Sequence, residues 1–335
     1  ELANLPESLS FWRHIDARSE SCLGQKCPDF DPCFITRMRD RAVEADIVVV
    51  NHHLFFADLS LRNSTYGSVL PDYTAVILDE AHLVEEDASE YFGAQVSNYQ
   101  VDDLIRDVSA VPYDDFEADR EITKTSSRVM RFADNFWMGF REGRTEEGRF
   151  PIVPGTFARR NGDGEIQSTR LGDLYISLEG ALTRLETTLD ALKEKPAEVD
   201  NLVRRIRQVR SELQFIVTGE NKKFVYWLER RGRGIFVRAS PIDVSGILED
   251  RLFDKIDTVV LTSATLSSAG NFAFIRERLG LDTADDLIAE STFDFRTQAL
   301  LYLPPKMPDP RSAEGARAAA AEVVKIVNAT EGRAF

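Results

Sequence analysis

The chain has 335 residues, a formal net charge of −15 and a composition that is 43% hydrophobic and 29% charged, which excludes the fibrous and disordered classes and allows two or three folding units. No apolar run approaches the roughly 18 residues that a membrane helix needs, and no charged-then-apolar leader opens the sequence. No membrane partner is therefore expected, and the expected location is the cytoplasm. The acidic balance weighs against a broadly basic nucleic-acid surface, although a groove needs only local positive potential.

The first chemical signal is a cluster of thiols. Cys22, Cys27 and Cys33 are the only cysteines, spaced C-x4-C-x5-C. An odd count in an intracellular chain argues against disulfides, and clustered loop thiolates suit a zinc or an iron–sulfur site. His14 could complete a Cys3His zinc site or serve a structural role beside Trp12, and the residues alone leave these alternatives open. Arg37, Arg39 and Arg41 follow directly and could face nucleic acid.

Three short apolar runs share one design: residues 47–50 ending at Asn51-His52-His53, residues 75–78 ending at Asp79-Glu80-Ala81-His82, and residues 258–261 ending at Thr262-Ser263-Ala264-Thr265. Each reads as a strand covered on both faces. In open α/β sheets ligands lie beyond the carboxyl ends of the strands, so the three polar clusters are expected along one edge. His52 and His53, diverging on a strand, read as structural residues rather than metal ligands. Asp79 and Glu80 carry the strongest signal. A nucleoside triphosphatase needs one carboxylate near Mg²⁺ and a second to orient and deprotonate water, and adjacent residues at a strand end could divide those tasks. The hydroxyls of Ser263 and Thr265 could hydrogen-bond a neighbouring carboxylate, or could simply begin a turn.

Between the second and third runs lies helical sequence. Leu171, Leu174, Leu178, Leu182, Leu185, Leu189 and Leu192 recur by threes and fours; after a break at residues 193–196, Val199, Leu202, Ile206, Val209, Leu213 and Ile216 do the same. The spacing predicts two helices, packed either along a coiled-coil-like seam or as ordinary helices on a globular core. The acidic stretch at residues 102–119 and the cluster Arg204, Arg205, Arg207 and Arg210 read as solvated. Residues 222–238 interleave Lys222, Lys223, Arg230, Arg231, Arg233 and Arg238 with Tyr226, Trp227 and Phe236. This predicts a hairpin turning at Arg231-Gly232-Arg233-Gly234 with its aromatics in a core; the other reading is a single-stranded nucleic-acid track. Apolar residues 299–303, a proline-rich connector at 304–310 and a helix at 313–327 close the sequence.

The DEAH box at residues 79–82, the stretch VVVNHHLFFADL before it, the Ser-Ala-Thr of residues 263–265 and the cysteine triplet together resemble the DinG/XPD type of superfamily 2 iron–sulfur DNA helicases, most closely the bacterial DinG-like members. The resemblance runs from about Phe11 to the end, with specific motifs only near residues 22–93 and 258–268. It implies an α/β fold: a RecA-like parallel-sheet motor domain with an iron–sulfur insertion and a helical arch-like insertion. The implied division is an iron–sulfur region at 1–45, a first motor part at 46–97, the arch-like insertion at 98–220, the motor return at 221–298 and the start of a second motor domain at 299–335.

By the same resemblance Asp79 binds Mg²⁺ through water, Glu80 is the general base, His82 couples hydrolysis to movement, and Ser263 and Thr265 belong to the motif linking ATP hydrolysis to strand separation. Cys22, Cys27 and Cys33 would hold a 4Fe-4S cluster whose fourth cysteine lies before Glu1. The partners implied are ATP, Mg²⁺ and single-stranded or forked DNA, with movement five-prime to three-prime in repair or replication. No G-x-x-x-x-G-K-[ST] phosphate loop occurs, nor any Gly-Lys pair, so the sequence is expected to be a fragment with negligible ATPase activity alone. Two rivals stand beside this expectation: a non-enzymatic, metal-stabilised DNA-binding or redox-sensing module with a degenerate ATPase core, and a relative carrying a fused nuclease domain.

Overall fold

The computed structural model describes residues 22–62, 68–141, 146–163, 165–304 and 306–333; His14, with the start of the expected iron–sulfur region, and Pro305 of the connector lie outside them. The chain divides into two compact units, Glu1–Ala284 and Asp285–Phe335. This division precedes the change expected at residue 299, so the proline-rich connector belongs to the second unit.

Within the first unit a three-ten turn (Gly24–Lys26) leads to helix α1 (Phe34–Glu44), and α2 (His52–Leu61) follows. Strand β1 (Ala75–Leu78) is parallel to β8 (Thr258–Leu261), with Ala75 opposite Thr258 and Leu78 opposite Leu261. After β1 come a three-ten turn (Ala81–Leu83) and α3 (Val84–Tyr91). Before β8 come α8 (Ser245–Leu248) and a π-helical turn (Glu249–Phe253); α9 (Ala273–Leu279) follows β8. One core joins these elements: Phe56 and Leu59 of α2, Leu78, Ala81, Val84, Leu248, Leu252 and Leu279 are all at most 3% exposed. Burying a large apolar side chain contributes about 1.5–3 kcal/mol.

Two strand expectations are corrected here. Residues 47–50 form no strand: they pair with no described neighbour, and Val49 is 92% exposed. A β-ladder needs a partner, and among the described residues β1 pairs only with β8. Nor are the paired strands covered on both faces. Val76, Leu78, Val259 and Leu261 face the core, whereas Ile77 is 73% and Val260 44% exposed, the period-two alternation of a sheet packed on one side.

The sequence between β1 and β8 holds the larger core. Strands β2 (Ala94–Ser97), β3 (Gly148–Pro151), β6 (Phe224–Arg231) and β7 (Gly234–Pro241) form an antiparallel sheet in the order β2-β7-β6-β3, and β4 (Ala158–Arg160) and β5 (Ile166–Ser168) form a small hairpin. Helices α4 (Asn98–Ala110), α5 (Phe116–Arg141), α6 (Arg170–Asp190) and α7 (Val199–Thr218) pack with this sheet. Apart from Leu192, which lies past the end of α6, the leucine and valine series fall on α6 and α7 as their spacing requires, with Leu178, Leu182, Leu185, Leu189, Ile206, Leu213 and Ile216 at 0% exposure. Because α6 packs against α5 as well as α7, the pair belongs to a globular core rather than an isolated seam. The stretch at 102–119 is not simply solvated: Leu104, Ile105 and Val108 of α4 are buried beneath its acids.

The arginines of α7 are paired as well. Arg205, 8% exposed, reaches Asp107 at 2.6 Å. Arg207 holds Glu186 and Asp190, each at 2.6 Å, and Arg210 pairs with Glu179 at 2.7 Å and with Glu186. They fasten α7 to α4 and α6. The hairpin at 224–241 is present, with Gly232 at φ 57°, a backbone region that favours glycine. Its aromatics divide between two faces, however. Alternation turns Tyr226 towards the core and Trp227 and Phe236 away from it.

In the second unit α10 (Phe295–Gln298) and α11 (Ala313–Ala329) are the helices, and the Tyr302 hydroxyl donates to Glu322 at 2.8 Å. Among the described residues no helix is long and apolar enough to cross a membrane.

The approach to β1 is set by Asp58, whose side chain is fully buried. Its Oδ1 accepts from the Val69 and Leu70 amides at 2.6 and 2.8 Å, and its Oδ2 accepts from Arg62 Nε at 2.5 Å. Arg62 donates onward to the carbonyls of Leu70 and Pro71. Asp58→Ala would leave a half-buried guanidinium, then paired among the described residues only with the exposed Asp72, and two amides without the buried carboxylate. It should lower stability by about 3–5 kcal/mol in urea unfolding, well above the cost of an exposed substitution.

Candidate active site

The site begins where β1 stops. Leu78 is the last paired residue, and Asp79 and Glu80 form the turn that follows it, not alternating positions on the strand as expected. Glu80 is left-handed at φ 48°. Few non-glycine residues adopt this region, and such backbones concentrate at functional sites. The Glu80 amide donates to Asp79 Oδ1 at 3.0 Å, and the Ala81 amide donates to the Thr262 carbonyl at 2.9 Å. Since the Thr262 amide donates to the Leu78 carbonyl at 2.9 Å, the parallel ladder runs past both strands into both polar motifs.

Side chains meet above this ladder. His82 Nδ1 lies 2.9 Å from Ser263 Oγ and 3.3 Å from Glu80 Oε2. Ser263 Oγ donates towards Glu80 Oε2 at 3.5 Å, lies 3.4 Å from Thr265 Oγ1 and accepts from the Thr265 amide at 3.2 Å. Residues more than 180 positions apart thus form one exposed cluster of carboxylate, imidazole and hydroxyls. Chemically it offers an acceptor for a water proton in Glu80 and a path by which that carboxylate's state reaches Ser263 through His82.

Asp79 stands beside this network, at the same strand end. Mg²⁺ is commonly held by one or two carboxylates plus phosphate and water, so the oxygen donors of Asp79 and Glu80 suit it. A cleft of about 440 Å³ lies elsewhere, lined by Glu90, Tyr91, Gln95, Asp103 and Glu212 among others, and includes none of these site residues.

The remaining predicted residues are not gathered here. Asn51 caps α2 by accepting from the Leu54 amide, which puts His52 and His53 in a helix rather than on a strand. His52 Nδ1 lies 2.9 Å from Asp87 Oδ2 of α3, and His53 lies against Tyr91. Both histidines bind α2 to α3, the structural role expected of them. Sequence reading missed Arg278 of α9, which pairs with Glu85 at the start of α3; a lone arginine in an amphipathic helix gives no signal of such a partner.

Cys22 and Cys27 flank the Gly24–Lys26 turn, and Cys33 stands at the N-cap of α1. Cys22 is exposed and accepts from the Gly24 amide at 3.4 Å, while Cys27 and Cys33 are half-buried. Amides of Thr36 and Ile35 at the start of α1 hold the Cys33 thiol below its ordinary value. Among the described residues no three His, Cys, Asp or Glu side chains are grouped to hold a metal ion. Arg37, Arg39 and Arg41 lie on α1, a helix with no buried residue.

Compared with known proteins, the chain aligns along its whole length with the ATP-dependent DNA helicase YoaA of Haemophilus influenzae, at 27% identity over 335 residues that cover 50% of that protein. The Escherichia coli protein of the same name is 28% identical, covering 99% of this chain and 50% of its own length. The chain is a homologue of the YoaA and DinG helicases. The ATP-dependent helicase DinG of Mycobacterium tuberculosis is 25% identical, covering 96% of this chain and 46% of its own length. No protein-family model matches. The chain spans about half the length of these curated relatives, and the mixed α/β architecture of the described residues, with one parallel and two antiparallel sheets, is consistent with a helicase-family fold.

The exposed cluster contributes little to stability, because water replaces lost partners at a surface. Ser263→Ala and His82→Ala should each change unfolding free energy by less than about 1 kcal/mol. Ala81→Leu, at the fully buried position next to His82, should cost about 1–3 kcal/mol by overpacking. Urea denaturation of the three variants checks this contrast.

Proposed function

We propose that the full-length protein is an ATP-dependent DNA helicase that moves five-prime to three-prime along single-stranded or forked DNA, in repair or replication in the cytoplasm. The observation that carries this reading is the joining of Glu80, His82 and Ser263 at the ends of β1 and β8. The names of the homologues support it independently.

In this reading Asp79 would help hold Mg²⁺, whose chemistry when bound is to neutralise phosphate charge. Glu80 orients the attacking water and accepts its proton. His82 and Ser263, with Thr265 braced against Ser263, carry the change at Glu80 to the neighbouring strand. ATP phosphates must be held by a phosphate-binding loop, and none occurs in this sequence. The region at 1–45 takes the iron–sulfur role, and the arch-like role falls to the body built from β2 to β7, which extends past the expected residues 98–220 to include the β6–β7 hairpin. The cluster assignment rests on the family resemblance carried by Cys22, Cys27 and Cys33, and no step runs through it.

ATP hydrolysis by the full-length protein should be stimulated by single-stranded DNA, and Glu80→Gln should lower kcat by about 10²-fold or more, the usual contribution of a general base. Hydrolysis indifferent to DNA or to Glu80 would remove the motor reading. Iron and acid-labile sulfide analysis tests the cluster separately. About four of each per chain are expected, with loss in Cys27→Ser; neither in protein purified without oxygen would refute it.

A further inference from the structure

The outer face of the β2-β7-β6-β3 sheet takes no part in that chemistry, yet it has an unusual composition. Register places Arg149 opposite Glu229, Trp227 opposite Arg238 and Glu229 opposite Phe236, so these side chains share the face turned from the helical core. The Trp227 ring is approached from the strands on both sides, by the Arg149 guanidinium at 4.7 Å and by that of Arg238 at 5.1 Å. Its Nε1 donates to Ser240 at 3.2 Å. Beneath them Glu229, its side chain 8% exposed, faces three arginines: Arg231 at 2.9 Å, Arg238 at 3.5 Å and Arg149 at 3.9 Å.

A buried carboxylate needs a cationic partner, and Arg238, itself largely buried, also meets Glu90 at 3.1 Å. Arg149 and Arg231 are different. Their side chains are 69% and 74% exposed, and surface pairs of that kind contribute between nothing and about 1 kcal/mol. Glu229 anchors their inner ends, while their charge stands in solvent on a chain whose net charge is −15. Guanidinium planes stack on bases and pair with phosphate oxygens. Cations alternating with an aromatic ring are how sequence-tolerant single-strand tracks are built.

We propose that this sheet face binds single-stranded nucleic acid, with phosphates on Arg149 and Arg231 and a base against the Trp227–Arg238 pair. A protein partner could also use Trp and Arg anchors, but the excess of exposed cations complements phosphate. The proposal rests on reading the protein as a nucleic-acid motor, and adds a contact surface remote in sequence from Asp79 and Glu80.

The test uses the full-length protein without nucleotide and an oligothymidine carrying bromodeoxyuridine. After irradiation, crosslinked peptides are mapped by mass spectrometry, and affinity is followed by anisotropy against salt. Crosslinks are expected in the peptide containing Trp227. In R149A/R231A they should fall at least tenfold, with the salt slope reduced by about 1.4, the value for two single-strand phosphates. R149K/R231K should restore the slope, and Glu80→Gln should leave crosslinking unchanged. Absence of crosslinks at Trp227, or crosslinks and slope indifferent to R149A/R231A, would overturn the proposal. If DNA-stimulated hydrolysis persists in either case, the motor reading stands without it; crosslinks at Trp227 beside hydrolysis indifferent to Glu80 would leave the surface and remove the motor.

Discussion

Parallel pairing of β1 with β8 is the constraint on which the site depends. Leu78 and Leu261 end the two strands side by side, and the hydrogen bonds continue one residue further, through the Thr262 amide to Leu78 and the Ala81 amide to Thr262. That extension aligns the two polar motifs. A slip of one residue would turn Leu78 out of the core and exchange it with Ile77. The two backbones would then meet out of step, and the serine would no longer face the histidine. The core beneath, from Phe56 to Leu279, holds the register.

The chain between β1 and β8 is long enough to build its own core, and it does so. A long excursion between paired strands costs conformational entropy on closure, though the cost grows only slowly with length. Here the excursion is itself folded, with helices α4 to α7 closing over one face of the antiparallel sheet. Arg205, Arg207 and Arg210 tie the helices across their surface. Such a body can be carried on the strand pair without disturbing the ends of β1 and β8, because its connections enter through β2 and leave after β7. The opposite sheet face remains for Arg149, Trp227 and Arg238.

Much of this was legible from periodicity and motif. The leucine and valine series marked α6 and α7 because a helix burying one face must repeat apolar residues every three or four positions. Glycine between arginines marked the hairpin, and four apolar residues before Asp79 marked β1. What failed shows where sequence is silent. Residues 47–50 have strand composition, but a strand is a pairing and composition names no partner. Aromatic content marks the hairpin but not the face: Tyr226 turns into the core while Trp227 and Phe236 do not, because adjacent positions on a strand cannot share a face. Asp79 and Glu80 stand out in the sequence, yet nothing local foretells the left-handed backbone at Glu80 or the contact between His82 and Ser263. That contact exists only because residues 75–78 and 258–261 find each other. The thiol triplet is readable as spacing alone, since what it binds depends on ligands that spacing cannot supply.

The central claim is that His82 and Ser263 act as one unit linking Glu80 to the neighbouring strand. A double-mutant cycle on DNA unwinding per ATP hydrolysed, with His82→Ala, Ser263→Ala and the pair in the full-length protein, measures it directly. If the two share one link, each single variant should lower unwinding per ATP, and the double variant should be no worse than the more severe single one. Losses that simply add would contradict the link, as would unwinding per ATP unchanged in either single variant.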